Sequence, residues 1–226
     1  MRLRAVIFDV DGTLVDSQLD ILAAMSRAFE AEGLRAPRRE SVLGIVGLSL
    51  DVAIPMLAPE SDAQACSRMV QGYKDAYAEM RRAQGADVSS PMYSGAREAL
   101  MRLQVQDDIL IGVATGKSRR GLDKLIEAHE LEGIFVSRQV ADDHPSKPNP
   151  SMLFQAMREL GVEAGDCVMI GDTSFDMEMA RAAGMRFIGV TWGYHDTARL
   201  ADSDIVIDDF AQLDAALETI WSESLV

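Results

Sequence analysis

Residues 3–17 read Leu3-Arg-Ala-Val-Ile-Phe8 followed by Asp9-Val-Asp-Gly-Thr-Leu-Val-Asp-Ser17. An apolar run of strand length stops at two carboxylates and a glycine. The stretch therefore predicts a buried strand whose carboxyl end carries Asp9 and Asp11 and then turns. Runs of the same kind recur at Ile109–Ala114, Ile134–Ser137, Cys167–Ile170, Phe187–Val190 and Ile205–Ile207, with helical patterns between them. Strands that alternate with helices specify an α/β fold, a parallel sheet with helices on its faces.

One stretch breaks the alternation. From about Val15 to Met92 there is no strand pattern. Leu19, Leu22, Met25, Ala28 and Phe29 recur at helical spacing up to Gly33, and Cys66, Met69, Val70, Tyr73, Tyr77 and Met80 form a second stripe. Such stripes are faces for core packing. Ser61 and Gln64, placed just before the second stripe, have the spacing of a capping box. The chain is thus expected to divide into a core of residues 1–14 and 93–226 and a helical insertion at 15–92. The two passages between them fall near Val15–Ser17 and Val88–Ser94.

The 226 residues are 48% hydrophobic and 26% charged, which is ordinary globular usage. A formal charge of −14 argues against nucleic-acid or anionic-membrane partners, which are bound by clustered Lys and Arg. Cys66 and Cys167 alone provide neither a disulfide framework nor a zinc spacing. Asp9 and Asp11 interrupt the apolar N-terminal run too early for a signal peptide, and no stretch approaches the roughly 20 apolar residues of a membrane span. The expectation is a soluble, cytoplasmic protein, monomer or homodimer.

In open α/β sheets, ligands bind beyond the carboxyl ends of the strands. The polar residues predicted there are Asp9 and Asp11, then Thr115-Gly116-Lys117-Ser118, then Gly171-Asp172 with Asp176 four residues on. Ser146-Lys147-Pro148-Asn149-Pro150 precedes the next helical pattern. Carboxylates gathered in one crevice repel unless a cation compensates them, and hard oxygen donors favour Mg²⁺. One carboxylate beside such a cation can attack phosphorus and form an aspartyl-phosphate. The Thr115 hydroxyl and the amides of Gly116 and Lys117 can hold phosphoryl oxygens, and Lys147 adds positive charge.

Asp9–Ser17 resembles the signature of the haloacid dehalogenase-like hydrolase superfamily. Thr115 after an apolar strand, Lys147 in Ser-Lys-Pro and Gly171-Asp172-Thr-Ser-Phe-Asp176 resemble its second, third and fourth motifs, in the family's order. The resemblance implies a Rossmann-like core with a small α-helical cap at 15–92. It implies Asp9 as nucleophile and metal ligand, and Asp11 as general acid and base with its main-chain carbonyl on the metal. Thr115, Gly116 and Lys147 would bind phosphate, and Asp172 and Asp176 would complete the Mg²⁺ site. An acid at position 11 suits an alkoxide leaving group, whereas a halide needs no proton, so the chain reads as acting on phosphorus.

Single residues of these types have simpler roles. Asp16, Ser17, Ser118 and Asn149 read as turn or cap residues. His129, His144 and His195 are scattered without catalytic spacing, and Lys74, in a helix, is expected to face solvent. Lys117, Arg119 and Arg120 place three cations at a helix start, where they could attract an anion. Gly44–Asp51 is the insertion loop expected to face the crevice, and its lack of Arg or Lys speaks against a second anion held by that loop. Val15-Asp-Ser17 and Gly189-Val-Thr-Trp-Gly-Tyr194 resemble the phosphoglycolate phosphatase branch, while Thr115-Gly-Lys departs from that branch's frequent Thr-Asn-Lys. The expected substrate is a small phosphorylated metabolite. The alternatives are a phosphomutase of the β-phosphoglucomutase type, whose cap would carry an entrance-loop Arg, and a non-catalytic binding protein, disfavoured because every catalytic position is filled.

Overall fold

The computed structural model describes residues 2–223, apart from the side chains of Gln84, Ala86, Asp87 and Glu223. Strand β1 (Arg4–Phe8) leads into five helices: α1 (Gln18–Ala31), α2 (Arg39–Leu43), α3 (Leu50–Leu57), α4 (Ala63–Gln84) and α5 (Ala86–Ser89). The alternating part follows: α6 (Ala96–Gln104), β2 (Ile109–Thr115), α7 (Arg119–Ala128), β3 (Ser137–Val140), α8 (Ser151–Leu160) and β4 (Cys167–Gly171). It ends with α9 (Ser174–Ala182), β5 (Arg186–Val190), β6 (Ile205–Ile207) and α10 (Leu213–Glu223). The fold is the α/β Rossmann-like core with a helical insertion that the alternation and the resemblance led one to expect.

The six strands are parallel, in the order β3-β2-β1-β4-β5-β6. The order runs outward in one direction from β1 and in the other from β4, so the crevice of the fold opens where those two lie side by side. Residues of β1 alternate between two cores, as the period of two requires. Val6 and Phe8 join Leu100, Leu103, Leu122 and Trp221 on one face, while Ala5 and Ile7 join Met152, Ala156, Met169 and Ala180 on the other. Burial on both faces is why β1 and β4 carry almost no polar side chain before their ends.

The insertion packs α1 against α4. Ile21, Met25 and Phe29 meet Cys66, Met69 and Val70 in one small core that draws on both predicted stripes, whereas Leu19, expected in the first stripe, is exposed and Met80 packs with Ala24 and Ala76 in a separate cluster. The two chain passages lie side by side: Asp16 N–H donates to Pro91 O (2.9 Å), Tyr93 N–H donates to Leu14 O (3.0 Å), and Val15 bridges Met92.

Three local expectations need correction. The third strand is Ser137–Val140, not Ile134–Ser137. Ile134 and Phe135 instead sit in a turn and pack into the core beside Leu122 and Leu125. The polar Ser137 and Gln139 are tolerated because both bond Glu159 of α8, at 2.7 and 2.8 Å. The cap of α4 is Asp62, whose carboxylate accepts Ala65 N–H (2.8 Å); the Ser61–Gln64 box does not form, because the stronger acceptor lies one residue later. The first strand starts at Arg4, leaving Leu3 exposed. No helix among the described residues is long and apolar enough to cross a membrane.

Candidate active site

β1 and β4 end together at the switch point and deliver Asp9 and Asp172. Asp9 N–H still donates to Ile170 O (2.9 Å), so the first carboxylate is fixed by the sheet itself. The chain then turns tightly, with Gly12 at φ +88° and its N–H on Val15 O (2.9 Å). Glycine is required on two counts here. The conformation is left-handed, and a Cβ would stand 2.3 Å from Asp172 Oδ2. Thr13 Oγ1 donates to Asp172 Oδ1 (3.0 Å), and Tyr194 N–H donates to Asp172 Oδ2 (2.7 Å). Trp192 Nε1–H holds the turn by donating to Thr13 O (3.0 Å).

Lys147 enters from the loop before α8, with a cis peptide to Pro148. Its Nζ is fully buried and donates to Asp9 Oδ1 (2.7 Å) and Asp176 Oδ1 (2.6 Å). Asp176 has a second task. Its Oδ2 accepts from Thr173 N–H (3.2 Å) and Thr173 Oγ1 (2.6 Å), and Thr173 Oγ1 accepts Asp176 N–H, a capping box that starts α9.

Asp9, Asp172 and Asp176 each offer an oxygen, all within 4.8 Å of one another, and each is at least 99% buried. Three carboxylates face a single lysine, so the cluster is short of positive charge. Burial raises Asp9 to about 7, against the opposing pull of Lys147, and the charge of Asp176 adds to the rise. Burial, then the charges of Asp9 and Asp176, push Asp172 well above the usual carboxylate range. Burial alone would lower the Lys147 amine, but Asp176 and Asp9 outweigh it and raise the amine above its ordinary value. Asp9 Oδ2 is buried without a hydrogen-bond partner. An orphaned buried oxygen beside two more carboxylates is a donor set that fits a hard divalent cation.

Asp11 lies apart from this cluster. Its Oδ1 meets Lys117 Nζ (2.7 Å) and also accepts a short hydrogen bond from Ser17 Oγ. Lys117 Nζ donates further to Tyr77 OH (3.3 Å) on α4 and lies 5.1 Å above that ring. Burial would lower the Lys117 amine, but Asp11 and Tyr77 raise it. Thr115 is buried at the end of β2, and its Oγ1 accepts Lys117 N–H (3.2 Å). Gly116 permits a close approach: a Cβ there would be 2.7 Å from Gly47 O, so the insertion loop sits directly on this turn. Ser146 Oγ accepts Ser49 N–H (2.9 Å) from the same loop. Between insertion and core lies a cavity of about 480 Å³, with Asp9, Asp11 and Thr115 in its lining.

All seven expected site residues thus gather at one crevice: Asp9, Lys147, Asp172 and Asp176 in contact, with Asp11, Thr115 and Gly116 lining the adjoining cavity. Gly44–Asp51 faces it, as expected, from Ile45 onward. Lys74 is exposed, as expected, and also lines the cavity. Arg119 pairs with Asp143 (2.8 Å), whereas Lys117 and Arg120 line the cavity. Ser118 caps α7 and Asn149 accepts Ser151 N–H, the structural roles read for them. Sequence reasoning did not find Thr13, Tyr77, Arg81 or the contact of Tyr194 with Asp172. Tyr194 stood in the singled-out 189–194 stretch, but spacing does not show that its backbone N–H turns back 22 positions. His195 is also more than a bystander, since it joins Ser174 N–H (3.1 Å) to Gly44 O (3.2 Å) across the core and the insertion.

A relative from Dickeya dadantii, named "Probable phosphatase IndB", is 34% identical over 220 residues, covering 95% of this chain and 94% of its own. A phosphoglycolate phosphatase of Photobacterium profundum is 30% identical over 221 residues, covering 93% and 94%. The solved β-phosphoglucomutase of Clostridium difficile shares the fold, with a TM-score of 0.84 at 18% identity over 99% of both chains. The model of the haloacid dehalogenase-like hydrolases matches residues 6–190, a range that holds Asp9–Ser17, Thr115, Lys147 and Gly171–Asp176. The chain belongs to the haloacid dehalogenase-like hydrolase family.

Proposed function

We propose that the chain is a Mg²⁺-dependent phosphatase that hydrolyses a small organic phosphate monoester through an aspartyl-phosphate on Asp9. The supporting observation is the buried triad Asp9, Asp172 and Asp176 around one lysine, with Asp9 Oδ2 unpartnered. The names of the relatives point the same way, and phosphoglycolate is the first ester to assay. Residues 15–92 are read as a cap over the core at 1–14 and 93–226, since their side chains line the cavity together with Asp9, Asp11 and Thr115 of the core.

Asp9, Asp172 and Asp176 would hold the metal, with the main-chain carbonyl of Asp11 as a further ligand because its carboxylate is engaged elsewhere. When bound, Mg²⁺ supplies charge neutralisation for the carboxylates and the phosphoryl oxygens. The Thr115 hydroxyl and the Gly116 amide hold phosphoryl oxygens, and Lys147 keeps the Asp9 carboxylate oriented. Attack by Asp9 forms a carboxylate–phosphorus bond as the ester P–O bond breaks, and Asp11 protonates the departing alkoxide. Water then attacks the same phosphorus and gives its proton to Asp11. Inorganic phosphate leaves and the Asp9 carboxylate is restored.

The test is a phosphate-release screen over phosphoglycolate, sugar phosphates, nucleotides and pyrophosphate. Release is expected to require Mg²⁺, to stop in EDTA and to fall at least about a thousandfold in Asp9→Asn, some 4 kcal/mol of transition-state stabilisation. Full activity of Asp9→Asn would falsify the mechanism. Phosphoryl migration without free phosphate would point to mutase chemistry instead.

A further inference from the structure

The cavity between insertion and core carries features that a two-carbon substrate does not use. Its volume of about 480 Å³ lies in the range of sites for larger organic ligands. Met25, Val46, Leu48 and Ala53 give it an apolar wall on the insertion side. Lys74 and Arg81 from α4 and Arg120 from α7 also line it. Among the described residues none of these three cations has a carboxylate within ion-pair distance, although the chain holds 36 acidic residues for 22 basic ones. Of the other carboxylates in the lining, Asp75 accepts from Gln71 Nε2 and Asp142 from Arg119 N–H, while Asp51 stands in the first turn of α3.

Arg81 and Arg120 are brought together by the backbone. Arg81 Nη1 donates to Gly121 O (3.3 Å), next to Arg120 in sequence. Burial lowers the Arg81 guanidinium from its ordinary value, and the like charge of Arg120 adds to the lowering against the opposing pull of Tyr77 and Asp20. Two neighbouring guanidinium groups, Arg81 half-buried and Arg120 exposed, with no carboxylate in ion-pair contact and, among carboxylates, only the charge of the buried Asp20 acting on Arg81, are in an arrangement that a bound anion stabilises. The volume of the cavity and its apolar wall leave room for several carbons between the carboxylates and these cations. Lys117 is already engaged by Asp11 and Tyr77, and Arg81 stands one helical turn further along α4.

We infer that the preferred substrate is a phosphate monoester whose leaving group carries a second anionic group, a carboxylate or phosphate, set off by an apolar span of several carbons, and that Arg81 and Arg120, with Lys74 at the mouth, hold that distal anion. This rests on the phosphatase reading above and adds the chemical class of the leaving group. It also relocates the specificity element. The loop at 44–51, free of Arg and Lys, supplies the apolar wall, and the cations come from α4 and α7.

The experiment uses the full chain with Mg²⁺ and a matched ester series. The members are phosphoglycolate and ethyl phosphate, 5-phosphonooxypentanoate and pentyl phosphate, and pentane-1,5-diol bisphosphate, with p-nitrophenyl phosphate as a generic ester. In the wild type, kcat/KM for the five-carbon carboxylate or bisphosphate is expected to exceed that of pentyl phosphate by about tenfold or more, and to exceed that of phosphoglycolate. The ratio of the anionic to the methyl-ended ester should fall towards one in R81Q/R120Q and be partly restored in R81K/R120K. Whether the carboxylate or the bisphosphate gains more identifies the distal group. If pentyl and pentanoate esters are hydrolysed alike, or phosphoglycolate is the best of the series, the inference fails and the phosphatase reading stands. If no ester releases phosphate, p-nitrophenyl phosphate included, both fail.

Discussion

Replacing Lys147 by Met tests the electrostatic arrangement on which the site depends. The side chains are similar in length, but the cation is lost from between Asp9 and Asp176, at 2.7 and 2.6 Å, where all three groups are at most 1% exposed. Removing one partner of a buried ion pair costs about 3–5 kcal/mol, because the other charge remains buried and uncompensated. Here two carboxylates lose their partner and Asp172 lies within the same 4.8 Å cluster, so the upper half of that range is expected. For a chain of 226 residues, 3–5 kcal/mol corresponds to a fall in Tm of about 6–20 °C. The deficit has a defined pH dependence. Asp9 and Asp172 already titrate above their ordinary 3.8 because of burial, and losing Lys147 removes a charge that favours the ionised form of Asp9. Between about pH 4 and 7 the folded variant therefore binds protons that the unfolded chain does not, and its stability rises as pH falls. Thermal and urea unfolding of both proteins in EDTA at pH 7 and pH 5 measures this. A divalent ion at a hundred times its Kd should restore about 2.7 kcal/mol, which repeating the pH 7 scan with Mg²⁺ reads directly. A variant within about 1 kcal/mol of the wild type at pH 7 in EDTA, or a deficit equally large at pH 5, refutes the reasoning, since a buried ionised cluster without its cation cannot behave so.

Further substitutions probe the supports of the same site. Gly12→Ala forces a side chain into φ +88° and against Asp172 Oδ2 at 2.3 Å; a loss of about 1–3 kcal/mol in urea unfolding and a raised Mg²⁺ requirement are expected. Thr13→Val deletes the 3.0 Å hydrogen bond to Asp172 Oδ1, and the Mg²⁺ concentration giving half-maximal phosphate release should rise about 10–100-fold, with unchanged demand counting against the cluster as metal site. His195 accepts Ser174 N–H at Nδ1 and donates to Gly44 O from Nε2, and burial, with Arg199 adding to it, pushes its pKa down to about 4. The unfolded imidazole takes up its proton near 6.5, so the stability it contributes is complete above that pH and lost between 6.5 and 4. The difference in unfolding free energy between wild type and His195→Gln should accordingly shrink over that window, and a constant difference would contradict the neutral bridging role.

The core was legible because burial on both faces leaves a continuous apolar run, and the first polar residue after such a run marks the strand's carboxyl end. Asp9 after Phe8 and Asp172 after Gly171 are read correctly by that rule alone. The rule fails at β3, where Ser137 and Gln139 are polar yet paired with Glu159, so that the neighbouring apolar turn at Ile134 and Phe135 looks more like a strand than the strand does. Spacing along one strand or helix shows which residues share a face, but not what another element brings to that face. In sequence Lys117 is one of three cations at a helix start, and only the meeting of β1, β2 and α4 makes it the partner of Asp11 and Tyr77.

The net charge of −14 now has a physical organisation that bears on the reaction. The last 31 residues hold 8 acidic and 1 basic residue, far in sequence from the motifs, whereas the insertion at 15–92 holds 11 acidic and 8 basic residues. A small anion approaching this chain meets an unfavourable overall field, which slows encounter and is relieved by salt. Capture therefore depends on charges within about one Debye length of the cavity, roughly 8–10 Å. Lys74, Arg81 and Arg120 at the cavity, with Lys117 and Lys147 beneath, are the cations so placed. The two lower lysines are committed to Asp11, Asp9 and Asp176, so the upper three make the difference between a repelled and an attracted anion. Raising ionic strength should then have two opposed effects on kcat/KM, screening the whole-chain repulsion and weakening the local attraction. Neutralising Arg81 and Arg120 should leave only the first, so that salt accelerates the variant more than the wild type.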